Sequence, residues 1–225
     1  MTLEHTERQA AKPSLHRQTR TAQRPGTRGR GARVSAFEMG CAGFSSPHQS
    51  ALCGVILAFQ IGVLLLLGRP WICPCGDVLV WQGALDPVHN SQQLADPYTI
   101  LHIAFGCGLF LWLTTIRPDW PLARRATYAV ASSAIWEIVE NLPLVIDLFA
   151  NDGSSLDYRG DSIVNSVSDT LAVSLGFLIS SRLPKSLTLA LVVALEGITY
   201  LLIQDSILAG ILRLLAALPG LPLAP

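Results

Sequence analysis

"LDYRGDSIVNSVSDTLAVSLGFLISSRLP", Leu156 to Pro184, begins as a polar loop and ends as an apolar helix. Along the way it carries Asp161, Asn165 and Asp169. At about 100° per residue, Asp161, Asn165, Ser168, Asp169, Ala172 and Gly176 fall on one side of a helix. Val164, Val167, Leu171, Leu175 and Leu178 take the other. The polar, small-residue side permits close helix approach and is expected to face protein, while the branched side faces lipid.

The whole chain supports a membrane setting for that helix. Half of the 225 residues are hydrophobic, 14% are charged, and mean hydropathy is +0.42. This is too apolar for an ordinary soluble domain. Five segments approach the ~20 residues needed to cross ~30 Å of hydrocarbon: Ala51–Leu67, Tyr98–Ile116, Ala126–Phe149, Ile163–Ser181 and Leu187–Ile203. A sixth, Ile207–Leu218, is too short to span and reads as an interfacial helix. The expected fold is therefore all-α: an integral membrane bundle of about five transmembrane helices with a C-terminal interfacial helix.

Loop charges alternate. The amino-terminal tail, "RPDWPLARR" (Arg117, Arg124, Arg125) and "RLPK" (Arg182, Lys185) are basic, whereas Arg69–Pro97 and Asn151–Gly160 carry Asp77, Asp86, Asp96, Asp152 and Asp157. Lys and Arg collect on the cytoplasmic side, so the amino terminus is expected in the cytoplasm and the carboxyl end, after five spans, outside. Residues 1–47, with eight basic residues before Val34, contain too little apolar surface to fold and are expected to form a disordered tail. Residues 48–225 form the transmembrane domain. The tail reads as solvated rather than as a nucleic-acid contact, and translation from Met39 is an alternative start.

The third span supplies a second polar face: Ser133, Glu137, Glu140, Asn141 and Leu144 recur at i, i+3, i+4 spacing. Pro143 lacks the donor that would reach the Val139 carbonyl, so a break is expected there. With a rise of ~1.5 Å per residue, Glu137 and Asp169 both reach mid-bilayer, and Glu196 on the fifth span comes out near the middle with Tyr200 above it. His102, Glu140, Asn141 and Asn165 sit nearer the outer boundary. Ionisable residues inside a bilayer are costly and mark functional sites. The candidate pocket is thus His102, Glu137, Glu140, Asn141, Asp161, Asn165, Asp169 and Glu196, with His102 and Arg159 as the basic neighbours. It is expected to open outward and to bind a cation, a small solute or a lipid headgroup. An intramembrane enzyme acting on outer-leaflet lipid or an envelope component is the alternative, but no nucleophile–base pair is legible. No cofactor is expected. Cys73 and Cys75 in "WICPCG" read as a strained bridge, a soft-metal pair, or free or intermolecular thiols.

"WICPCG", "NSQQLADPYTILHIAFG", "WEIVENLPLVID", the opening stretch and "LEGITYLLIQDS" together resemble uncharacterised protein family 0314, also called domain of unknown function 2585. The likeness runs from about Arg69 to the carboxyl end. It implies a bacterial multi-pass inner-membrane protein of unassigned activity. Carried over, it marks Trp71, Cys73, Cys75, His102, Trp136, Glu137, Glu140, Asn141, Asp161, Asn165, Asp169, Glu196 and Asp205. The chain departs from the pattern at Phe105, where the family implies a second histidine, and at Leu148 and Gln204, where it implies arginines.

Overall fold

The computed structural model describes residues 47–83, 86, 88–151 and 158–216, all of them in the unit Val34–Pro225. The basic tail before Pro47, the alternative start at Met39 and the loop acids Asp152 and Asp157 lie outside the described residues. Among the described residues there are helices and no strands: α1 Pro47–Leu66, α2 Pro97–Ile116, α3 Leu122–Glu140, α4 Pro143–Asn151, α5 Ile163–Ser180, α6 Lys185–Ile203 and α7 Ile207–Ala216. Four of them, α1, α2, α5 and α6, are each long and apolar enough to cross a membrane. A fifth span is made if α3 and α4 are taken together, across a 71° bend.

That bend falls where Pro143 predicts it. The α3 ladder ends with the Asn141 and Leu142 N–H groups donating to the Glu137 and Val139 carbonyls, and Pro143 opens the next helix in a new direction. Leu144 is consequently four-fifths exposed rather than in line with Ser133 and Glu137, which corrects the single continuous face expected from the sequence. A helix face cannot be extrapolated through a change of axis.

The starts of α2 and α5 are capped by side chains. Asp96 caps α2 by accepting from the Tyr98 N–H, with Thr99 returning the bond to the Asp96 N–H, and Pro97 occupies the first position. Ser162 caps α5. The remaining donors at that end are taken by the loop between α1 and α2: Ile163 N–H reaches Pro70 O at 2.8 Å and Val164 N–H reaches Trp71 O at 3.1 Å. Unpaired donors at a buried helix end would be destabilising, so this loop is part of the bundle. Helix α6 stops at Gln204, whose φ of 57° closes the last turn.

Helix α2 packs between α5 and α6, and α3 packs between α5 and α1. The α2/α5 crossing is very close. A Cβ on Gly106 would stand 2.0 Å from the Val173 carbonyl oxygen, and one on Gly176 would stand 2.1 Å from that of Ile103. Around this crossing lies the apolar core of Leu109, Phe110, Leu113, Ala129, Val173 and Phe177, in which the Phe110 and Phe177 rings meet edge to face at 5.4 Å. Outward, Val55, Phe59, Ile135, Leu171, Leu175 and Val193 are exposed. Branched apolar side chains directed outward and polar ones inward are what a lipid solvent selects. The α5 face is rotated slightly from the sequence reading. Ser166, Thr170, Val173 and Phe177 join Asn165, Asp169, Ala172 and Gly176 in the interior, while Ser168 is only half-buried.

The two ends of the bundle differ in chemistry. At one end, Arg124 and Arg117 stack on Trp120 at 4.1 and 5.5 Å, and Arg125 donates to Thr114 at 2.6 Å. At the other, the starts of α2 and α5 meet the end of α3, and the acids gather there.

Candidate functional site

Asn141 is the first fixed point of the acidic end. Its amide donates to Asp161 Oδ2 at 2.5 Å, and its Oδ1 accepts from the Asp161 N–H at 2.8 Å. This two-way pair ties the break after α3 to the start of α5. The Tyr158 hydroxyl donates to Asp161 Oδ1 at 2.9 Å, and Arg69 Nε donates to the Asp161 carbonyl at 2.8 Å. Burial pushes the Asp161 carboxyl up from its ordinary 3.8 to about 6, opposed by the bonds from Asn141 and Tyr158 and by the Arg69 charge. The basic neighbour is therefore Arg69. Arg159, expected in that role, is exposed, because the chain turns at Gly160.

Asn165 serves structure as well: its amide donates to the Gln93 carbonyl at 2.9 Å, docking the loop on α5. Gln92 does the same through the Gly160 carbonyl at 2.7 Å. Deeper in the bundle, Gln60 of α1 donates to the Ser166 carbonyl at 3.1 Å and accepts from Thr170 at 3.1 Å, and Ser133 joins Thr170 at 3.2 Å.

The central group is His102, one turn into α2. Its Nδ1 stands 3.5 Å from Glu137 Oε1 and its Nε2 stands 3.7 Å from Asp169 Oδ2, so the imidazole lies between the two acids. Glu137 and Asp169 converge from opposing helices on His102. Thr99 donates to Asp169 Oδ1 at 3.0 Å while accepting the Asp96 N–H, so the cap of α2 also orients Asp169. Ser166 faces Glu137, and the Trp136 indole N–H bonds Glu140. Buried Asp96 is held by N–H groups of Ser91, Tyr98 and Thr99, which oppose the upward push that burial gives its carboxyl.

A partly enclosed cavity of about 280 Å³ abuts this cluster. His102 and Glu140 form part of its wall, Tyr98, Trp136 and Tyr158 supply aromatic faces, and Asp205 lies at the junction of α6 and α7. No Lys or Arg is among the described lining residues. Glu137, Asp169, Asn141, Asp161 and Asn165 are buried behind the wall and do not line it. Glu196 lies apart from the cluster. It is bonded by the Ile207 N–H beside Asp205, and Tyr200 is exposed.

Among the described residues, two groups of side chains bring donor atoms within 4.8 Å of one another: His102 with Glu137 and Glu140, and Cys73 with Cys75 and His89. In the second, Cys73 and Cys75 are joined in a disulfide, one of the alternatives open to "WICPCG".

Residues 64–221, which hold every residue of the cluster and the cavity, match the family model described as a protein of unknown function, DUF2585. The chain belongs to this family. It is 43% identical over 161 residues to a UPF0314 protein of Brucella anthropi, covering 71% of this chain and 81% of that one. A UPF0314 protein of Rhizobium meliloti is 40% identical over 162 residues, 72% of this chain and 82% of the relative. One from Paracoccus denitrificans is 37% identical over 171 residues, 76% and 88% respectively. No solved structure matches.

Sequence reasoning missed Gln60, Arg69, Thr99 and Tyr158. Gln60 had a signal, as the one strongly polar side chain in "LCGVILAFQIGVLLLL". Arg69 had none, because it meets Asp161 from 92 residues away.

Proposed function

We propose that this chain is a multi-pass protein of the bacterial inner membrane, amino terminus in the cytoplasm, whose acidic cavity opens outward and receives a cationic ligand. The alternating loop charges support that orientation. They assign the Arg117, Arg124 and Arg125 end to the cytoplasm and the Asp161 end to the outside. The observation that carries the ligand class is the wall itself: Glu140 and Asp205 beside Tyr98, Trp136 and Tyr158, with no lysine or arginine among the described lining residues. Carboxylates give such a cavity a negative field, and aromatic faces add cation–π attraction that is strongest where water is scarce. An ammonium group fits that chemistry, whether it belongs to a free solute or to a lipid headgroup.

The test uses the purified full-length protein in nanodiscs of anionic lipid. Choline is compared with its neutral isostere 3,3-dimethylbutanol by thermal shift. The expected result is stabilisation by choline alone, with affinity reduced about tenfold, ~1.4 kcal/mol, in both Glu140→Gln and Asp205→Asn. If a headgroup is the natural occupant, nanodiscs containing phosphatidylcholine will compete with free choline; if a solute is, they will not. Equal effects of choline and the alcohol, or no effect of either, would refute the reading.

A further inference from the structure

We propose that His102, Glu137 and Glu140 bind one divalent transition-metal ion at the inner wall of the cavity. The inference deepens the cation-binding reading and rests on it only through Glu140, since Glu137 does not line the cavity.

The donors come from two helices. Glu137 and Glu140 are three apart on α3 and share a face, while His102 faces them from α2. His102 Nδ1 and Glu137 Oε1 are 3.5 Å apart. Bonds of about 2.0–2.1 Å in tetrahedral array place neighbouring ligand atoms roughly 3.3–3.5 Å apart. A Glu140 oxygen completes the set, whose ligand atoms all lie within 4.8 Å of one another.

A second observation points to a missing partner. Glu137 is 1% exposed, yet its Oε1, directed at His102, makes no hydrogen bond among the described residues. A carboxylate oxygen buried without a donor is unfavourable, and a metal ion would satisfy it. The surrounding groups are arranged as outer partners of metal ligands are. His102 turns its other nitrogen toward Asp169 at 3.7 Å, Thr99 holds the far oxygen of Asp169, Trp136 bonds Glu140 and Ser166 faces Glu137. Three carboxylates surround one imidazole, and the structure's nearby guanidinium, Arg69, is engaged with Asp161 instead. An imidazole with two carboxylates favours zinc or manganese over calcium and magnesium, which prefer oxygen alone. His102 and Glu140 also line the cavity, so an ion held by them would be reachable from it by water or by an oxygen-bearing ligand.

Zinc is the probe. Oxidised, full-length protein is stripped with chelator, loaded with Zn2+, desalted and assayed for metal content. About one equivalent is expected to remain, and it is expected to be lost in His102→Ala and Glu137→Gln. Asp169→Asn is expected to weaken binding ten- to a hundredfold, and Asp119→Asn, on the exposed loop beside Trp120, to leave it unchanged. Choline binding with no retained zinc would defeat the metal site and leave the ammonium reading standing; the converse result would do the reverse. X-ray absorption on the wild-type protein is independent of whether the variants fold. A shell of nitrogen and oxygen at about 2.0–2.2 Å is expected. Sulfur at about 2.3 Å, or zinc retained by folded His102→Ala and Glu137→Gln, would overturn the assignment.

Discussion

Two glycines two residues apart on α2 should respond in opposite directions to the same methyl group. At Gly106 an added Cβ would lie 2.0 Å from the Val173 carbonyl oxygen and 2.8 Å from its carbon, backbone atoms with no rotamer by which to retreat. A relaxed carbon–oxygen contact is about 3.3 Å or longer, so α2 and α5 must part by roughly 1.3 Å. That separation breaks the contact of Cys107 Sγ with the Gly176 carbonyl, now 3.4 Å, and loosens the Phe110–Phe177 pair. Overpacking of this kind costs about 1–3 kcal/mol and occasionally more. At about 2–4 °C per kcal/mol for a chain of this size, Gly106→Ala is expected to lower Tm by up to ~10 °C. Gly108 has nothing within 4 Å of its added Cβ, so Gly108→Ala meets no clash and gains the better helix propensity of alanine, up to ~1 kcal/mol. Its Tm should hold or rise. The assay is thermal unfolding in one detergent, followed by tryptophan fluorescence and by aggregation. Because His102 rides on α2 and Asp169 on α5, Gly106→Ala should also weaken zinc retention, whereas Gly108→Ala should not. Equal Tm values for the two variants would refute the close crossing and the packing argument built on it.

The pH response of Asp161 has a definite sign. A carboxyl raised to about 6 in the folded protein from its ordinary 3.8 contributes stability that is full below pH ~4 and lost as pH rises through 6. Two pH units correspond to roughly 3 kcal/mol. Asp161→Asn should therefore close part of its stability gap to wild type as pH rises from 4 to 7, and a gap independent of pH would refute the shift. For orientation, a membrane-impermeant thiol reagent should label Cys75, the exposed member of the disulfide, on intact cells after reduction; labelling only after lysis would invert the topology.

Much of the fold is legible because lipid imposes two simple requirements, length and apolarity, on each span. The polar faces of α3 and α5 could be read because an acid inside a bilayer needs protein around it, and the break at Pro143 because proline has no N–H to give. What escaped is what depends on distant chain segments. Arg69 takes the role expected of Arg159, and the α1–α2 loop feeds the buried start of α5. Periodicity reports which way a side chain points along one helix and says nothing of which loop folds over its end. It also cannot follow a face around a bend, as Leu144 shows. Glu196 illustrates a further limit: equal depth does not mean contact, since α6 packs on the opposite side of α2 from α5.

The break after Glu140 also bears on how the chain is made. Helix α3 is long enough to span but carries Arg124, Arg125, Glu137 and Glu140, and it reaches the apolarity of a span only together with α4, through a 71° turn. Such a segment leaving the ribosome would be a poor candidate for lateral release into lipid by itself. Its acids find their partners on α2, already synthesised, and on α5, still to come, and the Asn141–Asp161 pair can form only once α5 has emerged. Synthesis order thus leaves an interval in which α3 is held beside α2 with its polar face incomplete. A nascent chain stalled before Asp161 would present an unfinished intramembrane surface to quality-control proteases, and completion of α5 would hide it.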